Sequence, residues 1–310
     1  MKQKLIGVVG PTASGKTGLG VALAKRLNGE IVSADSMQLY RGIHIASAAP
    51  DLQEQDGITH HLIEILSEDE CCTVAEYVTM ARQKIEEIYL RGRQPIVVGG
   101  TGLYINALFD HTQFFSEAAD SSVRTRLENE YETLGGEALL SRLGSVDPET
   151  AARLHPNDRR RIVRALEVFE KTGQTLTQFN AQSHPQEVPY EPILIGLTYR
   201  DRERLYERIN KRVDLMLQAG LLEEARSTYG KFSGQGMSQA IGHKELYAYF
   251  EGEKTLEEAA ESLKQATRRY AKRQLTWFRR DERIHWIEMD ETEDALAEAL
   301  NIIHGKEETV

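Results

Sequence analysis

The sequence predicts an α/β fold, in which helices flank a parallel sheet and an all-helical segment is inserted. Two short apolar segments near the N-terminus alternate with helical patterns, and a third follows at Pro95–Val98, which is typical of strand–helix–strand units. Residues 121–190 then show only helical periodicity, and strand character returns at Pro192–Tyr199. We therefore divide the chain into a first part of the core (1–114), a helical insertion (115–190) and a second part of the core with lid-like and C-terminal helices (191–310).

A glycine-rich loop near the N-terminus matches the phosphate-binding pattern G-x-x-x-x-G-K-[ST] at every fixed position. The strand Leu5–Val9 precedes it and the helix Thr17–Leu27 follows it, as in the P-loop NTPases, so we expect a P-loop NTPase-like core. The loop residues that would surround a phosphate are Gly10, Pro11, Thr12, Ala13, Ser14, Gly15, Lys16 and Thr17. Lys16 would add positive charge and the Thr17 hydroxyl could bind Mg²⁺. The ligand therefore carries a diphosphate or triphosphate, and the loop alone leaves open whether a P–O or a C–O bond breaks.

Two further strands end in residues that point to chemistry. The strand Glu30–Ala34 is followed by Asp35, and because the carboxyl ends of parallel strands line one crevice, we expect Asp35 beside the glycine-rich loop. The strand Pro95–Val98 ends in Gly99-Gly100-Thr101, where a nucleotide-hydrolysing protein would usually carry an acid that holds Mg²⁺ through water. Asp35 is thus free for chemistry other than metal binding.

Helix signals place the remaining elements. Capping boxes predict helix starts at Thr73 and Thr255, and Asp201 caps a helix that carries Arg208 and Arg212 one turn apart on a shared face. Two readings of this arginine pair stay open, namely two surface arginines or a pair that leans over the phosphates from a lid helix. The segment Ile284–Ile287 is predicted to be a last edge strand.

An arginine run marks the helical insertion. A helix is predicted from His155–Asp158 to Gly173, and its first turns carry Arg159, Arg160, Arg161 and Arg164 against the single acid Asp158. Such a run is usually a solvated face. In an acidic protein it is also what a surface that contacts a phosphate backbone would look like.

Composition excludes several classes of protein. With 38 Lys and Arg against 48 Asp and Glu in 310 residues, the net charge of -10 argues against non-specific nucleic-acid binding by the whole surface, though not against a local basic face. The adjacent Cys71 and Cys72 supply neither a zinc framework nor a disulfide scaffold. Residues 43–62 are predicted to be a loop-rich stretch, and we interpret His60-His61 within it as a pair of loop residues that binds no metal. No signal peptide or membrane-spanning segment is expected, so we predict a cytoplasmic monomer.

Three functions are consistent with these residues. The protein could be a small-molecule kinase in which Asp35 activates a hydroxyl, or a switch protein that binds a nucleotide. It could also be a transferase whose loop holds the diphosphate of a non-nucleotide donor, with a nucleic acid as acceptor. The missing acid after the third strand weakens the first two functions, and the basic insertion favours the third.

Nearly the whole chain resembles the bacterial members of the tRNA isopentenyltransferase (IPP transferase) family. The resemblance is carried by the glycine-rich loop together with Asp35–Tyr40, Val98–Tyr104, His155–Val168 and Ala271–Arg279, in this order and at the family's spacing. His243 stands where the family more often has a tyrosine after Ile-Gly, a departure that bears on local packing. The zinc-finger extension of eukaryotic relatives is absent, which fits the bacterial form.

The resemblance implies transfer of a dimethylallyl group from dimethylallyl diphosphate to N6 of adenine 37 in tRNAs that read codons beginning with U, with release of diphosphate. It implies that the loop and Arg208 hold the diphosphate, that Mg²⁺ binds at Thr17, and that ATP is not needed. The implied catalytic residues are Asp35, Thr101, Lys16 and Arg212. The implied tRNA-binding residues are Asp35, Ser36, Met37, Gln38, Thr101, Arg124, Arg159, Arg160, Arg161, Ile162, Val163, Arg164, Lys272 and Arg273.

Overall fold

A parallel sheet of six strands lies at the centre of the computed structural model, which describes residues 2–112, 122–182, 189–231 and 236–305. The strands are β1 (Gln3–Val9), β2 (Gly29–Ser33), β3 (His60–His61), β4 (Gln94–Gly99), β5 (Tyr190–Thr198) and β6 (Ile284–Glu288). Their order is β3-β2-β4-β1-β5-β6 and every neighbouring pair is parallel. The predicted α/β fold is therefore confirmed.

The chain divides into two units, Met1–Phe109 with Pro189–Val310, and Asp110–Val188. The first unit contains the sheet and the helices α1 (Lys16–Arg26), α2 (His44–Ser47), α3 (Leu52–Gln55), α4 (Val74–Leu90) and α5 (Gly102–Phe109). The second unit contains α6 (Ser122–Leu134), α7 (Gly136–Val146), α8 (Pro148–Ala151), α9 (Arg159–Thr172) and α10 (Leu176–Gln182). The first unit continues with α11 (Arg202–Gln218), α12 (Leu221–Thr228), α13 (Lys244–Phe250), α14 (Leu256–Phe278) and α15 (Ala295–His304). Of the predicted boundaries, 114/115 lies outside the described residues, and Tyr190, which we assigned to the insertion, belongs to β5.

Both faces of the sheet are buried, because successive residues of a strand point to opposite sides. On one face Leu5 and Leu194 pack with α4 and α5, and on the other Ile6 and Ile195 pack with α1 and α15. This burial explains why the strands read as continuous apolar segments instead of alternating ones.

Local capping signals set several of the helix starts. The predicted capping boxes at Thr73 and Thr255 are both present, and the Asp201 side chain accepts a hydrogen bond from the Glu203 N–H. The predicted edge strand at the C-terminal end is confirmed as β6. None of the described helices is both long and apolar enough to cross a membrane.

The stretch 43–62 is more ordered than the predicted loop, because it holds α2, α3 and β3. His60 and His61 form β3 and pair with Ile31 and Val32 of β2, so the interpretation as a loop pair is wrong. Two residues are too few for an alternating pattern to reveal a strand. His61 Nε2 lies 2.6 Å from Glu30 Oε2, and no metal-binding cluster involves the pair among the described residues.

The helical unit has a core of its own. Leu127 of α6, Leu143 of α7 and Leu166 of α9 are buried together. The Glu167 carboxylate is also buried, and the side chains of Arg124, Arg164 and Lys171 contact it. Burial alone would raise the pKa of Glu167, but the hydrogen bonds from these cations outweigh it and lower that pKa. The carboxylate therefore ties α6 to α9 as a charged group.

Candidate active site

The glycine-rich loop turns directly into the N-terminus of α1, which begins at Lys16. Gly10 and Gly15 have φ values of 142° and 98°, which a residue with a Cβ rarely adopts, and a Cβ on Gly10 would lie 2.6 Å from the Leu197 carbonyl oxygen. No acidic side chain lies in the first turn of α1, so no residue of that turn offsets the positive end of the helix dipole. The loop can therefore bind an anion through its backbone N–H groups, as its sequence predicts.

Two arginines of α11 contact this loop. Arg208 Nε donates a hydrogen bond to the Ala13 carbonyl oxygen at 2.9 Å, and Arg212 Nη1 donates to Thr12 Oγ1 at 3.3 Å. Arg208 also lies over the ring of Tyr199, with 5.7 Å from its guanidinium carbon to the ring centroid. The structure thus favours the lid interpretation of the arginine pair over two unrelated surface arginines.

Lys16 is the first residue of α1, and its amino group lies against the glycine-rich loop. Its Nζ donates to the Pro11 carbonyl oxygen at 2.6 Å. Burial, together with repulsion from Arg212, lowers the pKa of Lys16 to about 7, although the nearby Asp35 acts in the opposite direction. A buried ammonium next to a guanidinium is stabilised by an incoming anion, so this pair is suited to a di-anionic or more highly charged group.

Asp35 lies two residues beyond β2 on the same rim of the sheet. Its Oδ1 accepts a hydrogen bond from the Met37 N–H at 2.9 Å. Burial raises the pKa of Asp35, and the Met37 N–H, Lys16 and Arg212 only partly offset this effect. A carboxylate with a raised pKa is a better proton acceptor than an exposed one, which suits a general base.

The exit from β4 brings Thr101 beside the Asp35 segment. Thr101 Oγ1 accepts from the Ser36 N–H at 3.0 Å and lies 3.3 Å from Ser36 Oγ. A Cβ on Gly99 would lie 2.2 Å from the Ala34 carbonyl oxygen, so this approach of the two strand ends requires glycine. The predicted neighbours Asp35, Ser36 and Thr101 are therefore brought together.

Two further residues of α14 belong to this site and were not predicted. Gln274 is buried, and it accepts from the Thr12 N–H and donates to the Gly100 carbonyl oxygen, each at 2.9 Å. The hydroxyl of Tyr270 is hydrogen-bonded to the side chains of Thr101 and Gln274, and burial raises the pKa of Tyr270. A sequence signal for Gln274 exists, because it is a polar residue on the buried face between Ala271 and Phe278.

A cavity of about 280 Å³ joins these groups. Its polar lining comprises Thr12, Lys16, Thr17, Ser33, Asp35, Ser36, Gln38, Ser47, His60, Arg212, Thr267, Tyr270 and Gln274. Its apolar lining comprises Ile31, Met37, Ala46, Ala48, Pro50, Ile63, Val98, Gly99, Val213, Met216, Ile241 and Leu263. One chamber thus offers a cationic anion site, a carboxylate and a hydrocarbon-like wall.

Comparison with known proteins identifies the family of this chain. The profile of the IPP transferase family matches residues 38–281. The chain belongs to this family. It is 46% identical to the tRNA dimethylallyltransferase of Halalkalibacterium halodurans over 309 residues, covering 99% of this chain and 98% of the relative. It is 50% identical to the tRNA dimethylallyltransferase of Bacillus subtilis over 290 residues, covering 93% and 91%.

Solved structures of the family have the same fold. The full-length tRNA isopentenylpyrophosphate transferase of Bacillus halodurans superposes with a TM-score of 0.73 at 45% identity and covers 98% of this chain and 97% of its own. A eukaryotic dimethylallyltransferase, solved as snapshots of its action on tRNA, gives a TM-score of 0.81 at 30% identity, covering 98% and 80%. The resemblance inferred from the motifs is therefore confirmed for the family.

A further group of residues that the family resemblance implies lies on the first unit. Ser36, Met37 and Gln38 line the cavity. Both ends of the Gln38 amide are engaged, because Oε1 accepts from Ser33 Oγ at 2.7 Å and Nε2 donates to the Ala48 carbonyl oxygen at 3.1 Å. Lys272 and Arg273 are exposed on α14. The amide of Gln38 is thus positioned by protein contacts, whereas Lys272 is exposed and Arg273, also exposed, lies over the ring of Tyr270 with 5.6 Å from its guanidinium carbon to the ring centroid.

In the helical unit the residues that the family resemblance implies for tRNA binding fall into three groups. Ile162 and Val163 are buried in the core of the unit, so their side chains face away from solvent, and the implied contact of these two residues with tRNA stays a prediction. Arg159 pairs with Glu132, and Arg124 and Arg164 pair with Glu167. Within the described part of the chain, Arg160 and Arg161 are exposed and form no ion pair. A helix turns every ~3.6 residues, so a run of six residues cannot all face one partner.

Thr17 is the residue that could hold a metal ion. It lines the cavity within the glycine-rich loop, and the described residues contain no group of three His, Cys, Asp or Glu side chains suited to a metal. Mg²⁺ usually keeps several waters and is held by one or two protein oxygens together with substrate phosphates. A single loop hydroxyl beside an anion site fits that manner of binding.

Proposed function

We propose that the protein transfers a dimethylallyl group from dimethylallyl diphosphate to N6 of adenine 37 in tRNAs that read codons beginning with U. Prenyl transfer to tRNA follows from the family, and the position and codon rule are the finer proposal. One observation carries it: the glycine-rich loop and Asp35 line the same cavity, and a large group of apolar side chains lines it as well. A diphosphate ester of a short hydrocarbon matches both parts of that lining.

The diphosphate is the leaving group in this proposal. Lys16, Arg212 and Arg208 would stabilise the negative charge that develops on it as the allylic C–O bond breaks, because cations that contacts with the loop already hold in place need little reorganisation. When bound at Thr17, Mg²⁺ would supply further positive charge to the diphosphate oxygens. No nucleoside triphosphate takes part in this step.

The acceptor is the exocyclic amine of adenine. Its nitrogen forms a bond to the allylic carbon, the electron pair of the C–O bond leaves with diphosphate, and one N6 proton passes to Asp35. The raised pKa of Asp35 supports this role, since a base of this kind accelerates proton transfer by roughly 10²–10⁴-fold. Thr101, held beside Ser36, would accept or donate a hydrogen bond that orients the amine.

The tRNA would be held at its anticodon loop. A base that reacts in a buried cavity must leave its stack, which costs a few kcal/mol and less in an already single-stranded loop. The exposed Arg160 and Arg161 would contact the phosphate backbone, together with Lys272 and Arg273 on α14. The free thiols Cys71 and Cys72 support an activity in the reducing cytoplasm.

The second candidate is a small-molecule kinase. The match of the loop to the phosphate-binding pattern favours it, but β4 ends in Gly99-Gly100-Thr101, without the acid that commonly assists Mg²⁺ in nucleotide hydrolysis. Many apolar side chains line the cavity, which also suits a prenyl group better than a ribose. The transferase therefore accounts for more of the site.

The deciding experiment offers the protein two labelled donors. Unmodified tRNA is incubated with either labelled dimethylallyl diphosphate or γ-labelled ATP, in the presence and absence of Mg²⁺, and the label in RNA is measured. We expect label only from the prenyl donor, on the adenine next to the anticodon. Label from ATP on a small metabolite, with unlabelled RNA from the prenyl donor, would establish the kinase instead.

A further inference from the structure

A partly buried carboxylate, that of Glu224, supports one wall of the cavity from its outer side. Glu224 of α12 accepts hydrogen bonds from the Ile45 N–H at 2.8 Å and from the Ala46 N–H at 2.9 Å. These are free N–H groups in the first turn of α2, which has only four residues and no cap from its own N-cap side chain, Ile43. Glu224 therefore stabilises a helix that is too short to be stable on its own.

His243 holds this carboxylate in place. The ring is buried, with an exposed fraction of 2%, and its Nε2 lies 2.9 Å from Glu224 Oε1. Its Nδ1 lies 2.9 Å from Thr228 Oγ1, and the Thr228 hydroxyl also lies 2.9 Å from the Ala225 carbonyl oxygen. Both ring nitrogens are thus engaged, and because a carboxylate only accepts, the Nε2 of His243 must carry the N–H that faces Glu224.

The segments that Glu224 and His243 hold together also form part of the cavity wall. Ala46 and Ala48 of the α2 segment line the cavity, and so does Ile241, which lies two residues before His243. Ala46 and Ile241 pack in one cluster with Val213, Met216 and Leu263, which line the cavity from α11 and α14. A Cβ on Gly242 would lie 3.2 Å from the Ala46 Cβ, so the two segments touch closely. A shift of Glu224 would therefore move the apolar side chains of the cavity wall and not the glycine-rich loop.

We propose that His243 and Glu224 are a positioning pair that sets the apolar wall of the cavity and thereby the affinity for the hydrocarbon part of the donor. The identity of that hydrocarbon rests on the proposed function. The anion site is made by the loop, α11 and α14, and neither residue of the pair contacts it. The pair therefore acts on the prenyl part of the donor and leaves the diphosphate part unchanged.

The variant Glu224→Gln tests this pair with little change in shape. Glu224 accepts from three N–H groups with two oxygens, whereas a glutamine has a single acceptor oxygen and its NH₂ group would face an N–H donor. Glu223→Gln is the matched control, since Glu223 is the neighbouring residue of α12, exposed to solvent, and loses the same charge. In His243→Gln the amide can still donate to Glu224, whereas His243→Leu cannot.

Two ligands distinguish an effect on the apolar wall of the cavity from an effect on its anion site. Binding of dimethylallyl diphosphate and of inorganic diphosphate is measured by calorimetry without tRNA, so that no reaction takes place. We expect Glu224→Gln and His243→Leu to bind the prenyl donor about tenfold more weakly while inorganic diphosphate binds as in the wild type. Glu223→Gln and His243→Gln should match the wild type for both ligands. In turnover, the KM for the donor should rise with kcat unchanged at saturation.

The outcomes distinguish this proposal from the proposed function. Wild-type protein that binds dimethylallyl diphosphate no better than inorganic diphosphate would contradict the donor assignment before any variant is compared. If the wild type prefers the prenyl donor but Glu224→Gln equals Glu223→Gln, the positioning role is overturned alone. Equal weakening of both ligands in both Glu224→Gln and His243→Leu would also overturn it, because the pair would then support the whole site.

Discussion

The Gln274 side chain joins Thr12 to the end of β4: its Oε1 accepts the Thr12 N–H at 2.9 Å while its Nε2 donates to the Gly100 carbonyl oxygen at 2.9 Å. A Cβ on Gly100 would lie 2.2 Å from that Nε2, so the two backbones and the amide are in close contact. One buried amide on α14 thus fixes the spacing between the glycine-rich loop and the strand end that leads to Thr101.

Gln274→Leu should therefore weaken both the fold and the anion site. The Thr12 N–H and the Gly100 carbonyl would lose their partner, and leaving such groups unpaired costs about 1–3 kcal/mol each when they are buried. We expect a lower free energy of unfolding in urea and weaker binding of inorganic diphosphate. Gln265→Leu, an exposed residue of the same helix, is the control and should change neither. Unchanged diphosphate affinity in Gln274→Leu would show that the loop holds its shape without this amide.

Asp35→Asn should abolish transfer without abolishing donor binding. The amide keeps the size of the side chain but accepts no proton, so we expect the rate of transfer to tRNA to fall by roughly 10²–10⁴-fold. The Kd for dimethylallyl diphosphate should stay close to that of the wild type. A comparable loss of donor affinity would instead point to a role in metal or diphosphate binding.

The acid limb of the pH–rate profile gives a second test of Asp35. The base must be ionised, and burial raises its pKa, so the rate should fall with decreasing pH well above the ordinary carboxyl range near pH ~4. The limb is measured as kcat/KM for tRNA at saturating donor. A rate that stays constant down to the ordinary range would remove Asp35 as the proton acceptor.

Much of this site could be predicted from the sequence because its parts are local. The glycine-rich loop is a contiguous pattern, Asp35 follows a strand, and Arg208 and Arg212 are one turn apart on a helix. Gln274 and Glu224 were missed because their partners, Thr12 and Ile45, are 262 and 179 residues away along the chain. Such pairings depend on tertiary packing, which neither spacing nor periodicity records.

For the arginine run of α9, too, the sequence did not predict which side chains are exposed. Its composition predicted a basic surface, and Arg160 and Arg161 are exposed. The intervening Ile162 and Val163 face the core, and Arg164 is directed to the buried Glu167 of its own helix. The predicted helix fixes the period of the faces, but only the packing of α6 and α7 decides which face is buried.

Binding of diphosphate should transfer a proton to Lys16. The pKa of Lys16 is about 7 in the free protein, so at pH 8 its amine is mostly neutral, and a bound anion raises that pKa. Calorimetry in buffers of different ionisation enthalpy should show about one more proton taken up by the wild type than by Lys16→Arg, whose guanidinium stays charged. At pH 6 the two proteins should not differ, because Lys16 is then already protonated. Equal uptake at pH 8 would contradict the lowered pKa.

Removal of Arg160 and Arg161 should reduce the salt dependence of tRNA binding. Each phosphate contact contributes roughly one unit to the slope of log Kd against log salt, so the double variant to alanine should lower the slope by about 1–2. Arg153→Ala is the control, since Arg153 lies in the same unit and is exposed but pairs with Glu149. Arg124→Ala should behave differently from both, because it removes a partner of the buried Glu167 and lowers the stability of the helical unit. If the double variant keeps the wild-type slope, the exposed arginines of α9 do not contact the RNA backbone.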